Sequence, residues 1–404
     1  MKISKAISKV FLTVLSLLFL TCAFTVVSSA GGITVTTPKF EAVSADTTSI
    51  SFKWSSNQSV YCFKLYVLDT DTNRYNTVYK GKKTEITLSG LEPGAEYTYA
   101  LRSYIYSGGK LYASKLARLT VNTTLDSPTG LKESENTYNS HRISWNSVDG
   151  ADGYFVYYYN AAQKKYVRLG QTTKPSCKLT KLSSAYAYRY KIIAFSRKTD
   201  GSRIYSKASK AFIAVTLPAP VSTFTASAVS TNSFTLTWKE ASGSQGYRIY
   251  ERNPETNKYT VVATVRNTLT LPISSKETAE SYFYVIRSFA KINGKVYFSN
   301  LSKELTVTTK PNAPVAVINP DRTGNAVLQI AWSEVDKADG YLIYTSERKN
   351  SGFVLKKKVS AGTLECAVSG LSKTQVTYVK IKAYVLVGDK MVYSANSKLI
   401  GARA

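Results

Sequence analysis

The sequence predicts an all-β chain in which one sandwich-sized unit is written four times. Three observations carry that expectation. The only four tryptophans, Trp54, Trp145, Trp238 and Trp332, lie 91, 93 and 94 residues apart. Aromatic residues recur in fixed register behind each of them. Nine residues on stand Phe63, Tyr154, Tyr247 and Tyr341; twelve on, Tyr66, Tyr157, Tyr250 and Tyr344; twenty-one on, Tyr75, Tyr166, Tyr259 and Phe353. A fixed period of this kind marks a repeated structural unit. Finally, apolar and polar residues alternate with period two in short runs bounded by turn residues, the pattern of half-buried strands. No amphipathic helical stretch is visible beyond the N-terminus.

The N-terminus, residues 1–30, reads as a secretory signal peptide. Lys2, Lys5 and Lys9 form a positive stretch, an apolar run extends from Phe11 to Val27, and Ser28-Ser29-Ala30 supplies small residues for cleavage. The apolar run is short for a comfortable membrane span, so no transmembrane helix is expected in the mature chain. Acylation at Cys22 is disfavoured, because Thr21 precedes it and apolar residues continue past it.

Behind the leader the units are expected at 31–124, 125–216, 217–310 and 311–404, about 93 residues each. Near that size a domain can bury a sufficient core unaided. Pro38, Pro128, Pro218 with Pro220, and Pro311 with Pro314 stand at the four openings. Each fixes its own φ and biases the preceding residue toward an extended form, so the units are expected end to end as a semi-rigid rod. Within the third unit Phe234, Leu236 and Trp238 alternate with Ser233, Thr235 and Thr237, and further on Tyr282, Tyr284 and Ile286 alternate in the same way. Hairpin turn chemistry follows at Gly108-Gly109, Asp200-Gly201, Asn293-Gly294 and Gly388-Asp389.

Each unit resembles a fibronectin type III domain, and the four cover essentially the whole chain beyond the leader. The tryptophan resembles the family's second-strand tryptophan. The aromatic stretch nine residues later resembles its third strand. Leu91-Glu-Pro-Gly-Ala-Glu-Tyr97 resembles the corner at which a tyrosine hydroxyl bonds back to the backbone. Tyr188 and Tyr282 match Tyr97. The fourth unit departs, with Thr377 in that column and Tyr378 one residue off; Lys276 stands in the third where Leu91 and Leu182 stand in the first two. The resemblance implies an immunoglobulin-like fold of seven strands in two antiparallel sheets, with the tryptophan filling the space between them. It implies no enzyme, since such domains mostly act as spacers, adhesive modules or interaction surfaces. The family's Arg-Gly-Asp tripeptide is absent.

The charge balance is strongly basic. Fifty-three Lys and Arg against 26 Asp and Glu give +27; without the three leader lysines the excess is +24, distributed as +4, +9, +5 and +6 over the four units. A field of one sign along an array favours polyanionic partners, although solubility alone also rewards net charge. Chemistry-bearing sets are missing. Cys62, Cys177 and Cys366 fall in three different units, so no unit closes an internal disulfide. Cys177 and Cys366 share a column with Ile86 and Leu271 and read as buried, inert thiols. The single histidine, His141, shares a column with Ile50, Phe234 and Leu328 and reads as a strand-end residue half covered by its neighbours. No nucleophile set, metal cluster or phosphate-cradling glycine loop accompanies it, and no cofactor is implied.

The aromatic columns carry the functional expectation. By alternation the residues nine after each tryptophan face the core, and Tyr66, Tyr157, Tyr250 and Tyr344 point out of the sandwich. Neighbouring outward positions are expected to hold Arg102, Arg287 and Lys382, then Tyr104, Phe195, Phe289 and Tyr384, with Tyr112, Tyr205, Tyr297 and Tyr393 on the last hairpin strand. Such a face combines flat amphipathic rings with cations; cross-strand aromatic pairs also simply stabilise sheets. The sequence therefore points to a secreted, non-enzymatic surface protein, adhesin-like or scaffold. It would bind an anionic wall polymer, a polysaccharide or another surface protein, and would be held at the cell surface by charge. The alternative is a passive spacer. Stacking and charge would suit single-stranded nucleic acid, but secretion makes it a less natural partner.

Overall fold

A computed structural model describes residues 26–27, 32–319 and 325–403. All regular structure among these residues is strand. The expected signal peptide lies outside the described residues except for Val26–Val27, which pair in parallel with the strand Lys110–Ala113. Among the described residues three-stranded and wider sheets alternate, four of each. Two compact units contain them. The first takes in the described chain to Val215 apart from 137–139 and 182–186, which group with the remainder to form the second.

The third repeat shows the common plan. Its narrow sheet is Phe224–Ser227, Phe234–Trp238 and Thr270–Ile273. Its wide sheet runs Tyr259–Val265, Gly246–Arg252, Ser281–Ile292, Lys295–Phe298, with Leu305–Thr308 also paired to the long strand Ser281–Ile292. All these pairings are antiparallel. The inward residues of both sheets, Phe234, Leu236, Trp238, Tyr247, Ile249, Tyr284 and Ile286, form one buried cluster. Equivalent clusters surround the other three tryptophans.

The tryptophans are the pegs of these cores, at 3%, 5%, 3% and 5% exposure in chain order. Each indole meets the aromatic ring nine residues on, at 6.0, 5.3, 5.5 and 5.4 Å between centroids. None of the four indole N–H groups has a hydrogen-bond partner. An unpaired buried donor costs about 1–3 kcal/mol. Burying roughly 150–250 Å² of ring returns about 4–6 kcal/mol, so the apolar term wins. In three repeats the ring nine residues on is a tyrosine whose hydroxyl accepts a backbone N–H from the turn between it and the tryptophan, from Val148, Ala241 and Val335 at 2.9–3.0 Å. Phe63 has no hydroxyl to do so.

Register agrees with the columns. Phe52 faces Ile86, Ile143 faces Cys177, Leu236 faces Leu271 and Ile330 faces Cys366. Burial pushes the thiol pKa of all three cysteines up, which keeps them protonated and slow to react. A β-bulge recurs just before the twelfth-position tyrosine, between Leu65/Tyr66, Val156/Tyr157, Ile249/Tyr250 and Ile343/Tyr344.

The last of the seven strands is broken into two segments in every repeat, as in Arg203–Tyr205 and Phe212–Val215. Serines make the break. Ser206 and Ser209 accept the N–H of Ala194 and Ile192 through their hydroxyls and donate to the carbonyls of Lys207 and Lys210. Ser299 and Ser302, and Ser394 and Ser397, repeat the arrangement. The hydroxyl replaces the next residue as ladder partner, so the strand turns away while the long strand keeps its bonds.

The corner between the narrow and wide sheets begins alike in all four repeats, with Gly90, Lys181, Ser275 and Gly370 in the left-handed region. Three residues before the corner tyrosine, Gly94, Ala185 and Ala279 are left-handed too, whereas Thr374 is not. Glycine at 94 meets a second demand, since a Cβ there would stand 2.6 Å from Leu125 Cδ2. The hydroxyls of Tyr97 and Tyr282 accept the N–H of Glu92 and Glu277, each at 2.9 Å.

Candidate polyanion-binding face

The outer face of each wide sheet is an aromatic and cationic layer, but its depth differs from the expectation. Tyr66, Tyr157, Tyr250 and Tyr344 are half-buried and face outward, as do Arg102, Arg287 and Lys382. Tyr104, Phe195, Phe289 and Tyr384 are not surface rings: they are 2%, 1%, 4% and 5% exposed. The reason lies on the adjacent strand. Gly153, Gly246 and Gly340 pair with Phe195, Phe289 and Tyr384, and the rings lie down over them. A Cβ at those glycines would come within 2.8, 2.5 and 2.5 Å of the respective ring or its hydroxyl. Cys62 takes the glycine's place in the first repeat and packs with Tyr104. The glycines stand in the sequence eight residues past three of the four tryptophans. What they admitted depended on pairing across strands.

Cations close the rings from above. Arg203 lies 4.6 Å from the Phe195 centroid and 5.1 Å from that of Phe155, with Arg168 4.9 Å from Phe155. In the third repeat Arg287 lies 4.0 Å from Phe298 and 5.1 Å from Tyr250, Arg248 lies 4.8 Å from Phe298, and Arg266 lies 5.4 Å from Phe289. Lys64 covers Tyr104, and Lys358 covers Tyr384, at 5.0 Å each; Lys382 stands 5.8 Å from Tyr393. Each such contact contributes about 0.5–1 kcal/mol at an exposed site. Tyrosine hydroxyls add to the layer. Tyr66 and Tyr104 share a bond at 2.7 Å, and Arg287 Nε donates to Tyr250 at 2.8 Å. Burial first, then the bond to Tyr104, raises the pKa of Tyr66, so it stays neutral.

On the last hairpin strand Tyr205 and Tyr393 face this layer opposite Phe195 and Tyr384. Tyr112 and Tyr297 do not. They pair with Ile105 and Ala290, and the ring column is continued by Ala113 and Phe298. The one-residue offset moves a side chain to the other face of the strand.

Such a surface is suited to charge and not to ring stacking. The ring faces are occupied by the protein's own cations. A guanidinium lying flat on a ring keeps its N–H edge available for a carboxylate, sulfate or phosphate. Among the described residues the ion pairs to carboxylates engage Arg142, Lys178, Lys198 and Lys337 and two ring-seated cations, Arg252 over Phe283 and Lys276 over Tyr282, but not the ring-seated Arg168, Arg203, Arg248, Arg287, Lys358 and Lys382.

His141 is more deeply placed than a half-covered strand end. It is fully buried, its Nε2 lies 3.0 Å from the Tyr190 hydroxyl, and its Nδ1 lies 3.5 Å from Glu133 Oε1 without a hydrogen bond. Burial lowers its pKa to about 4 and raises that of Glu133, so both groups lean toward neutrality. The ring serves packing, edge-on to Tyr188 and Tyr190. Among the described residues no group of His, Cys, Asp or Glu could hold a metal ion, and no helix is long and apolar enough to cross a membrane.

No family model matches the chain. Of curated proteins, human phosphatidylinositol phosphatase PTPRQ is 24% identical over 202 residues, which span 48% of this chain and 8% of that protein. Of solved structures, a two-domain fibronectin type III segment of chicken tenascin is 23% identical, covering 44% of this chain and 98% of its own, with a TM-score of 0.36. The FN1–FN3 domains of chicken CNTN1 are 17% identical, covering 69% of this chain and 99% of their own, with a TM-score of 0.28. These neighbours are tandem fibronectin type III structures, and this chain is all-β with paired sheets repeated along it.

Proposed function

We propose that the chain is a secreted, non-enzymatic surface protein that binds anionic wall polymers or glycans through the basic outer faces of its wide sheets. The four units at 31–124, 125–216, 217–310 and 311–404 would each present one such face. The observation that supports this reading is the set of cations seated on rings and left without carboxylate partners among the described residues. Their charge is positioned and unspent, and it adds to a chain-wide excess of +27. Binding would be electrostatic and repeated, with several weak contacts acting together. The phosphatase activity in the name of the human relative belongs to that protein. Here the only histidine is locked in a core.

Retention of the chain on a polygalacturonate resin over a salt series tests the reading. Retention should be strong at low salt and fall steeply as salt rises, because exposed charges are screened within about 10 Å at 0.1 M. Arg248→Gln with Arg287→Gln should bring elution to lower salt without unfolding the third repeat. The second reading, a passive spacer, is favoured by the burial of Tyr104, Phe195, Phe289 and Tyr384 as sheet-stabilising rings. Absence of retention at low salt would establish that reading instead.

A further inference from the structure

The fourth repeat differs from the others at one end of its core. In the first three, two tyrosines on the long strand fill that end: Tyr97 and Tyr99, Tyr188 and Tyr190, Tyr282 and Tyr284. The same register holds Thr377 and Val379 in the fourth, where Val379 pairs with Thr345 as Tyr99 pairs with Val67 and Tyr284 with Glu251. Two rings are lost and nothing larger replaces them. A cleft of about 370 Å³ opens there, lined by Thr345, Ser346, Arg348, Lys356, Leu371 and Thr377 among others, with Glu347 also on its wall.

The chemistry of the lining is specific. Thr377 is 2% exposed, and its Oγ1 has no hydrogen-bond partner. A buried hydroxyl left unpaired is unfavourable, and a ligand able to bond with it would recover that cost. Thr345 and Ser346 are buried beside it. Lys356 is the extra residue of the recurrent bulge, skipped between Lys357 and Leu355 in the pairing. The equivalent Val78 belongs to the first core. Arg348 supplies a second cation to the lining.

We propose that this cleft binds one carboxylated sugar unit, a hexuronate. Its carboxylate would lie against Arg348 and Lys356, and a ring hydroxyl would pair with Thr377 Oγ1. The volume sits near the lower end of the roughly 300–1,000 Å³ typical of ligand clefts, which suits a single ring. A bare small anion would use the cations and leave the hydroxyl wall unused. The site is separate from the sheet faces and occurs in one repeat, so it selects by shape and hydroxyl pattern where they select by charge.

Calorimetric titration of the full chain with glucuronate, glucose and acetate tests this. Glucuronate should saturate, with glucose and acetate weaker by about tenfold or more. Thr377→Tyr, which rebuilds the ring of the other repeats, should abolish glucuronate binding. Thr377→Val, which keeps the cleft and removes only the hydroxyl, should weaken it about tenfold. Lack of saturation by glucuronate, equal binding of acetate, or undiminished binding by both folded variants would overturn the proposal. Arg248→Gln with Arg287→Gln should leave the titration unchanged while lowering retention on polygalacturonate, so the two readings fail separately.

Discussion

The first three repeats and the fourth share a core but not a corner. Around each tryptophan the two sheets meet in the same way, with the same bulge and the same aromatic partner class at nine residues. At the corner the first and third repeats fix the chain with a tyrosine hydroxyl. The first three add a buried threonine, Thr123, Thr216 or Thr309, whose hydroxyl donates to Glu92, Ser183 or Glu277. The fourth has Thr377 in place of the tyrosine and Ala404 at the sequence position of that threonine. The comparison teaches that the corner is an accessory to the sandwich. Its loss leaves the fold in place and exchanges packing for a polar cleft.

The largest expected effect lies in the shared part. Trp→Ala at 238 or 332 should each cost about 3–5 kcal/mol. Hydrogen exchange resolved by repeat in the full chain should show the fourth repeat opening more fully than the third. Equal opening would mean that the corner adds little.

Next comes a core difference peculiar to the second repeat. His141 titrates at about 4 folded and near 6.5 unfolded, so the unfolded state binds more protons between those values. Stability is therefore complete above about pH 6.5 and falls as pH drops toward 4, by up to roughly 3 kcal/mol. Glu133, raised by burial, acts in the opposite sense and offsets part of the loss at the acid end. His141→Leu, which copies Leu328 of the fourth repeat, should flatten the acid side of the second repeat's stability profile, measured by exchange against pH.

The smallest effect concerns the broken last strand. Ser397→Ala leaves the buried N–H of Ile381 without its hydroxyl partner and should cost about 1–3 kcal/mol by denaturant unfolding. The first repeat, which already carries Ala117 opposite Leu101 in this column, should be indifferent to the reverse change within a few tenths of a kcal/mol.

Much of this was legible along the chain. The core faces of Phe234, Leu236 and Trp238 follow from alternation. The repeat columns place Cys177 and Cys366 with Ile86 and Leu271 at an apolar position; strand pairing then sets them opposite Ile143 and Ile330. The serines at 206, 209, 299, 302, 394 and 397 recur as plainly as the tyrosines, yet their role shows only when a hydroxyl is seen standing in for a ladder carbonyl and N–H. Thr377 was visible as a departure, but not as a cleft, because its volume depends on Val379 and Lys356 as well.

By itself, the sequence determined the repeat, the strand pattern, the tryptophan pegs and the alternation of side chains within one strand, since these depend on period and sign along a single strand; which face of the last hairpin strand Tyr112 and Tyr297 take was set by pairing. The tertiary structure decided how deep each outward ring lies. Phe195 is sealed by a glycine about forty residues before it and an arginine on the next strand. Coverage is a property of neighbours brought together by pairing and of long cationic side chains that reach across it. Alternation carries no information about either.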